Sequence, residues 1–154
     1  MKNILYKTML LVLLLTTTSC LKDGLDDLPL FDEANILDFD LEYRFIAKND
    51  TGYDILQNVP LTSGVEAIID SNNNTVTITP TIPEPSGYFT QEEQDKVTLQ
   101  YIVGFAEISP AAKITTLNGA PKLGEPGNFS QSVQYRITAA DGTTKDWTIT
   151  VNPF

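Results

Sequence analysis

Three acidic side chains on one short polar stretch, Glu92, Glu93 and Asp95, are the residues of this chain that most invite a reaction. A glycoside hydrolase needs two carboxylates facing each other across a cleft, about 5 to 10 Å apart. Near neighbours on one exposed segment do not face each other across anything. Asp38, Asp40 and Glu42 make a second acidic set at alternate positions. Strand rise would space them roughly 6.5 Å apart along one edge, which describes a solvated face and not a converging cation site. Asp23, Asp26 and Asp27 make a third set, without the glycine and closing glutamate of a calcium loop. Histidine is absent and Cys20 is the only cysteine, so the usual metal ligands, the neutral-pH proton shuttle and any internal disulfide are missing. No serine motif supplies a nucleophile. The inventory predicts a non-catalytic protein without cofactor or metal.

Aromatic residues offer a different chemistry, because sugars stack on exposed rings. Trp147 is the most conspicuous, but it is in phase with Ile149 and Val151 and belongs with the core. Tyr88 and Phe89 lie in the proline-flanked loop from Pro83 to Gln94, where a ring has no core to serve. Together with Tyr53 they are the candidate ligand-binding residues.

The elements that must position these residues are strands. Val133, Tyr135, Ile137 and Ala139 alternate with polar residues, and after Asp141-Gly142 the alternation resumes at Trp147, Ile149 and Val151. Gly142 can take positive φ and Asp141 can hydrogen-bond its own backbone, so this is a closing β-hairpin. Leu37, Phe39, Leu41, Tyr43 and Phe45 alternate with charged residues as a strand with one wet face. Asn49 to Ser63 reads as a loop with a short strand at Tyr53 to Leu56. Val65 to Ile69 and Thr75 to Thr79 flank Asp70-Ser71-Asn72-Asn73-Asn74 as a second hairpin. Pro80, Pro83 and Pro85 then force a crossing segment, with at most one helical turn at Gln91 to Lys96. Val97 to Ile108 reads as a central strand covered on both sides, or bent at Gly104. Lys113 to Thr115 is a short strand, and Phe129 plugs the core after a Gly/Pro-rich loop. With no convincing helix, the pattern predicts an all-β fold, an antiparallel β-sandwich of about seven strands.

Composition agrees and narrows the partners. A hydrophobic fraction of 42% excludes wholesale disorder, and 154 residues fit one domain plus a targeting segment. Ten bases against twenty acids give a net charge of −10. Such a surface repels polyanions, which excludes nucleic acid as a partner.

The first residues give an address. Lys2 and Lys7 make a positive start, Met9 to Leu15 is wholly apolar, and Thr16 to Ser19 is small and polar before Cys20. The apolar part is shorter than the roughly 20 residues of a membrane span and has the layout of a secretory signal peptide. The cysteine after small residues resembles a bacterial lipobox, with Ser19 at the usual small position and Thr17 where leucine is customary. That resemblance implies cleavage before Cys20 and lipid on its sulfur; two or more acyl chains suffice for stable anchoring. Lys22, Asp23, Asp26 and Asp27, just behind it, resemble the export signal of Bacteroidetes surface lipoproteins. The expected divisions are residues 1–19 as signal peptide, 20–34 as lipidated cysteine and acidic tether, and 35–154 as the domain. Loss of Lys2 and Lys7 would leave eight bases against twenty acids, or −12.

Ile108 to Ile114, Phe129-Ser130 and the run VQYRITAADGTTKDWTITV, Val133 to Val151, resemble the close of immunoglobulin-like, PKD-like domains in Bacteroidetes lipoproteins. The hairpin IDSNNNTVTITP, Ile69 to Pro80, is similar to that family too. Asn128, Arg136 and Trp147 stand where the family pattern has Asp, Thr and Tyr. The resemblance implies an Ig-like sandwich on an outer membrane, facing the exterior, and brings no catalytic residue. Two roles follow. The domain binds or spaces, capturing glycan through Tyr88, Phe89 or Tyr53, or it contacts another surface protein by strand pairing at a sheet edge. A small glycan-active enzyme is the distant alternative.

Overall fold

The computed structural model describes residues 30–64 and 66–154. Cys20, Lys22, Asp23, Asp26 and Asp27 lie outside them, as does the signal peptide. Nine strands and one helical turn are described: β1 (Ile36–Lys48), β2 (Asp54–Pro60), β3 (Ile68–Asp70), β4 (Thr75–Ile78), α1 (Gln91–Gln94), β5 (Ile102–Ile108), β6 (Lys113–Leu117), β7 (Pro126–Gly127), β8 (Val133–Thr138) and β9 (Thr144–Val151). They form two sheets, β2-β1-β5-β7 and β3-β4-β9-β8-β6, packed as a β-sandwich. All pairings are antiparallel except β4 with β9. The strand not expected is β7, only two residues long, and β3 is shorter than the expected Val65 to Ile69.

The closing hairpin forms as its residues dictate. Gly142 has φ +94°, and the Asp141 carboxylate accepts from the Thr143 amide at 2.7 Å. Tyr135, Ile137, Trp147 and Ile149 are fully buried. Trp147 is core, and its Nε1 donates to the Ala34 carbonyl at 3.0 Å. Ala34, the last residue of the expected tether, is itself fully buried. The β3–β4 turn is organised by Asp70, whose carboxylate accepts from the amides of Asn72 and Asn73. A bond from the Asn73 side chain, and then those from the amides of Asn73 and Asn72, hold the Asp70 pKa below its ordinary value.

Four expectations need correction. Leu37 does not share the inner face with Phe39. A β-bulge between Ile36 and Asp38 puts Ile36 and Phe39 inside and leaves Leu37 exposed, because two β1 residues oppose one of β5. The short strand expected at Tyr53 to Leu56 runs on to Pro60: β2 pairs with β1 from Lys48↔Asp54 to Glu42↔Pro60. Pro60 is tolerated because β2 is an edge strand and Pro60 ends it. The strand expected from Val97 begins only at Ile102; Val97 and Tyr101 donate their amides in local turns to Gln94 and Thr98. Gly104 is not a bend. It lies in register opposite Leu41, the rings of Phe39 and Phe129 occupy the space a β-carbon there would need, and Phe129 is the expected core plug.

Candidate functional site

The segment from Thr79 to Tyr101 crosses from one sheet to the other and lies against the end of the β1–β2 ribbon. Local chemistry fixes its shape. Ser86 and Phe89 exchange both backbone hydrogen bonds, at 2.8 and 2.9 Å, around the pair Gly87-Tyr88. Gly87 has φ +57° at the first central position, as a tight hairpin turn of this kind demands. That geometry presents Tyr88 at the tip, 40% exposed, and turns Phe89 down into the protein, 5% exposed. Thr90 caps α1 by accepting from the Glu93 amide. The helix in turn brings Glu93 to the Tyr43 hydroxyl, which donates to its carboxylate at 3.1 Å. Burial, then Glu93, raises the Tyr43 pKa, so the phenol stays a neutral donor.

Under this strap sits an aromatic trio. Tyr43 stacks on Phe45 at 5.7 Å between centroids, and Phe89 lies 6.4 Å from Tyr43 and 6.2 Å from Phe45. Phe45, Phe89 and Val59 floor a cleft of about 410 Å³ between β2 and the Gly87-Tyr88 turn. Gln57, Asn58, Ser63 and Ser86 supply neutral donors and acceptors around it, while Pro60, Pro83 and Tyr88 form its apolar walls. The volume lies within the roughly 300–1,000 Å³ of small-molecule sites. No lining residue is charged.

The structure thus brings two of the three sequence candidates together. Tyr88 is a rim residue open to solvent. Phe89 differs from the expectation that both loop aromatics are free of the core: it belongs to the core and reaches the cleft as its floor. Tyr53, 72% exposed in the β1–β2 turn, is not among the cleft's lining residues. The residues missed were those of the second half of β2, Gln57 to Pro60. Asn49-Asp50-Thr51-Gly52 is hairpin-turn chemistry, with Asn49 accepting from Thr51 and Tyr53 and Gly52 at φ +85°, and it could have revealed the strand that carries Gln57 and Asn58.

The acidic trio around α1 is elsewhere and already engaged. Glu93 is held by Tyr43 and Lys96, Glu92 lies 3.3 Å from Lys96, and Asp95 accepts from Gln91. The two glutamates keep the Lys96 pKa above its ordinary value. None of the three acids lines the cleft. Asp38 turns back to its neighbour's amide and accepts from Phe39 at 2.8 Å. Among the described residues no group of three or more His, Cys, Asp or Glu converges as a metal site would require. The cleft presents hydroxyls and amides, with no carboxylate among its lining residues.

Comparison with known proteins places these observations. A family model described as DUF5018-related matches residues 36–150. A crystal structure of a putative secreted protein from Bacteroides fragilis NCTC 9343 is similar at 36% identity and a TM-score of 0.71, covering 80% of this chain and 98% of that one. A putative glycoside hydrolase from Bacteroides thetaiotaomicron VPI-5482 overlays at a TM-score of 0.46 and 22% identity, over 85% of this chain and 28% of that one, too distant to argue from. No curated protein matches.

Proposed function

We propose that this chain, which belongs to the DUF5018-related family, is a non-catalytic lipoprotein of the outer membrane whose Ig-like sandwich captures saccharide at the cell exterior. The observation that carries the reading is the cleft between β2 and the Gly87-Tyr88 turn. An apolar floor beside neutral amides and hydroxyls suits a ligand that has an apolar ring face and hydroxyl edges but no charge. Tyr88 stacks on that ring face, Phe89 and Phe45 support it from below, and Gln57 and Asn58 bond the edge. The signal-peptide layout and Cys20 support anchoring, and a relative described as secreted supports the external location.

Affinity electrophoresis and a glycan array test the capture. Tyr88→Ala is expected to abolish retardation while leaving the fold intact, since the side chain is at a turn tip. Phe89→Ala loses binding and stability together and so cannot make the distinction alone. An array on which no glycan binds the wild-type chain would overturn the saccharide reading. For the anchor, Cys20→Ala is expected to release the protein from membranes or leave it unprocessed. Mature protein still in the membrane fraction would refute lipidation at that residue.

One observation favours the alternative of protein contact. Ile46 and Leu56 are cross-strand partners on the outer face at the open β2 edge, 61% and 58% exposed. If Ile46→Ser with Leu56→Ser abolishes co-purification of a surface partner while sugar binding is absent, contact at this edge is the function.

A further inference from the structure

A second cleft, of about 390 Å³, adjoins the first. Asp40 and Glu42 of β1, Thr62 and Phe105 of β5 line it. Pro60 and Ser63 line both clefts. These two residues end β2 and begin the turn after it, at the edge of the sheet: Phe45 and Val59 of the first cleft lie on its inner side and Asp40, Glu42 and Phe105 of the second on its outer side, so the two cavities flank one short segment of chain.

We propose that the two clefts are the two halves of one groove that rounds the sheet edge at Pro60 and Ser63 and holds an uncharged saccharide chain, with Tyr88 stacking one sugar and Asp40 accepting hydroxyl hydrogens from another beyond Ser63. The proposal rests on the saccharide reading of the first cleft. Asp40 is set for this task. Thr62, 8% exposed, accepts from the Leu41 amide at 3.3 Å and donates to one Asp40 oxygen at 2.8 Å, which fixes the carboxylate. Two carboxylate oxygens have about four lone-pair sites, so most of Asp40's accepting capacity remains. No described base lies within 4.0 Å of Asp40. Charge-assisted hydrogen bonds from sugar hydroxyls are the stronger kind.

Charge also sets what the groove rejects. Glu42 is paired with Arg44, and Arg44 is further committed to the Gly124 carbonyl at 2.8 Å and to the Phe105 ring at 5.2 Å. A uronic-acid chain would bring its carboxylates against Asp40 with Arg44 already occupied, and the first cleft has no base to receive them.

Calorimetry on the full mature chain tests the groove, using malto-, cello-, manno- and xylo-oligosaccharides from disaccharide to hexasaccharide, and oligogalacturonides of equal length. Affinity for a neutral series is expected to rise roughly tenfold with length, and the oligogalacturonides are expected not to bind. Asp40→Asn should weaken the hexasaccharide about threefold to tenfold and leave the disaccharide unchanged. Ser63 is exposed and lines both clefts, so Ser63→Trp should fold and should weaken the hexasaccharide more than the disaccharide. A flat length series, with binding still lost in Tyr88→Ala, would overturn the groove and leave capture standing. No binding of any neutral series would overturn both.

Discussion

At Gly104 a methyl group would lie 2.8 Å from Cζ of Phe129 and 3.1 Å from Cζ of Phe39. Both rings are buried and pack edge to face on each other at 6.3 Å, so neither can swing away. Gly104→Ala is therefore expected to destabilise the fold by about 1–3 kcal/mol, the usual cost of overpacking, as measured by urea unfolding. Gly104→Ala combined with Phe129→Leu should recover part of that loss; a single mutant as stable as the wild type would refute the packing account. The sequence marks Gly104 as unusual within an apolar run, but not why. Flexibility at a bend and lack of space look identical in one dimension. Trp147 is the opposite case, because its phase with Ile149 and Val151 already assigns it to the core, and the structure adds the Ala34 carbonyl that satisfies its N–H. Phe89 lies between these. Its burial depends on a turn that folds it beneath the strap, and no periodicity records such a turn.

Among the elements, the closing hairpin and the Asp70 turn were legible because their causes are local: alternation, a glycine at positive φ and short polar side chains that bond their own backbone. Only the first half of β2 was legible, because Ile55, Leu56 and Val59 break the alternation and Pro60 reads as a stop. Half the cleft was lost with the rest of the strand. The closing hairpin also carries a titratable brace on its wet face. Arg136 and Asp146 are cross-strand partners joined by two hydrogen bonds, at 2.7 and 2.8 Å. Arg136 holds the Asp146 pKa below its ordinary 3.8. A carboxylate depressed on folding stabilises the native state above its unfolded pKa, and that contribution disappears as pH falls through the folded value. The pair is exposed, so its effect is small and salt-sensitive. Asp146→Asn is expected to lower Tm slightly at pH 7 in dilute buffer, with the difference shrinking as pH drops below 3.8. Parallel curves at pH 7 and below pH 3 would show that the ion pair is not the cause.

Over the whole molecule, charge is the dominant imbalance. Twenty acids face ten bases, and among the described residues the acids within 4.0 Å of a base are Glu42, Asp54, Glu92, Glu93, Glu125 and Asp146. The remaining described acids, Asp40 and Glu107 on the outer face among them, repel one another through water. Self-repulsion of this kind weakens the compact state and is screened by salt, with a Debye length of about 30 Å at 0.01 M and about 10 Å at 0.1 M. Salt also weakens the ion pairs, which are largely exposed, and each such pair contributes little. The two effects oppose each other in sign, and the excess of unpaired acid should decide the balance. Tm is therefore expected to rise as sodium chloride is increased from 0.01 M to 0.3 M at pH 7. Chloride is the suitable salt, because sulfate would strengthen apolar burial independently of charge. At pH 3.5, where a large share of the carboxylates is protonated, the same salt series should show a smaller rise. A Tm that falls with chloride at pH 7 would mean that the ion pairs outweigh the repulsion. The surface charge would then be stabilising in place, not a strain that the apolar core of the two sheets has to overcome.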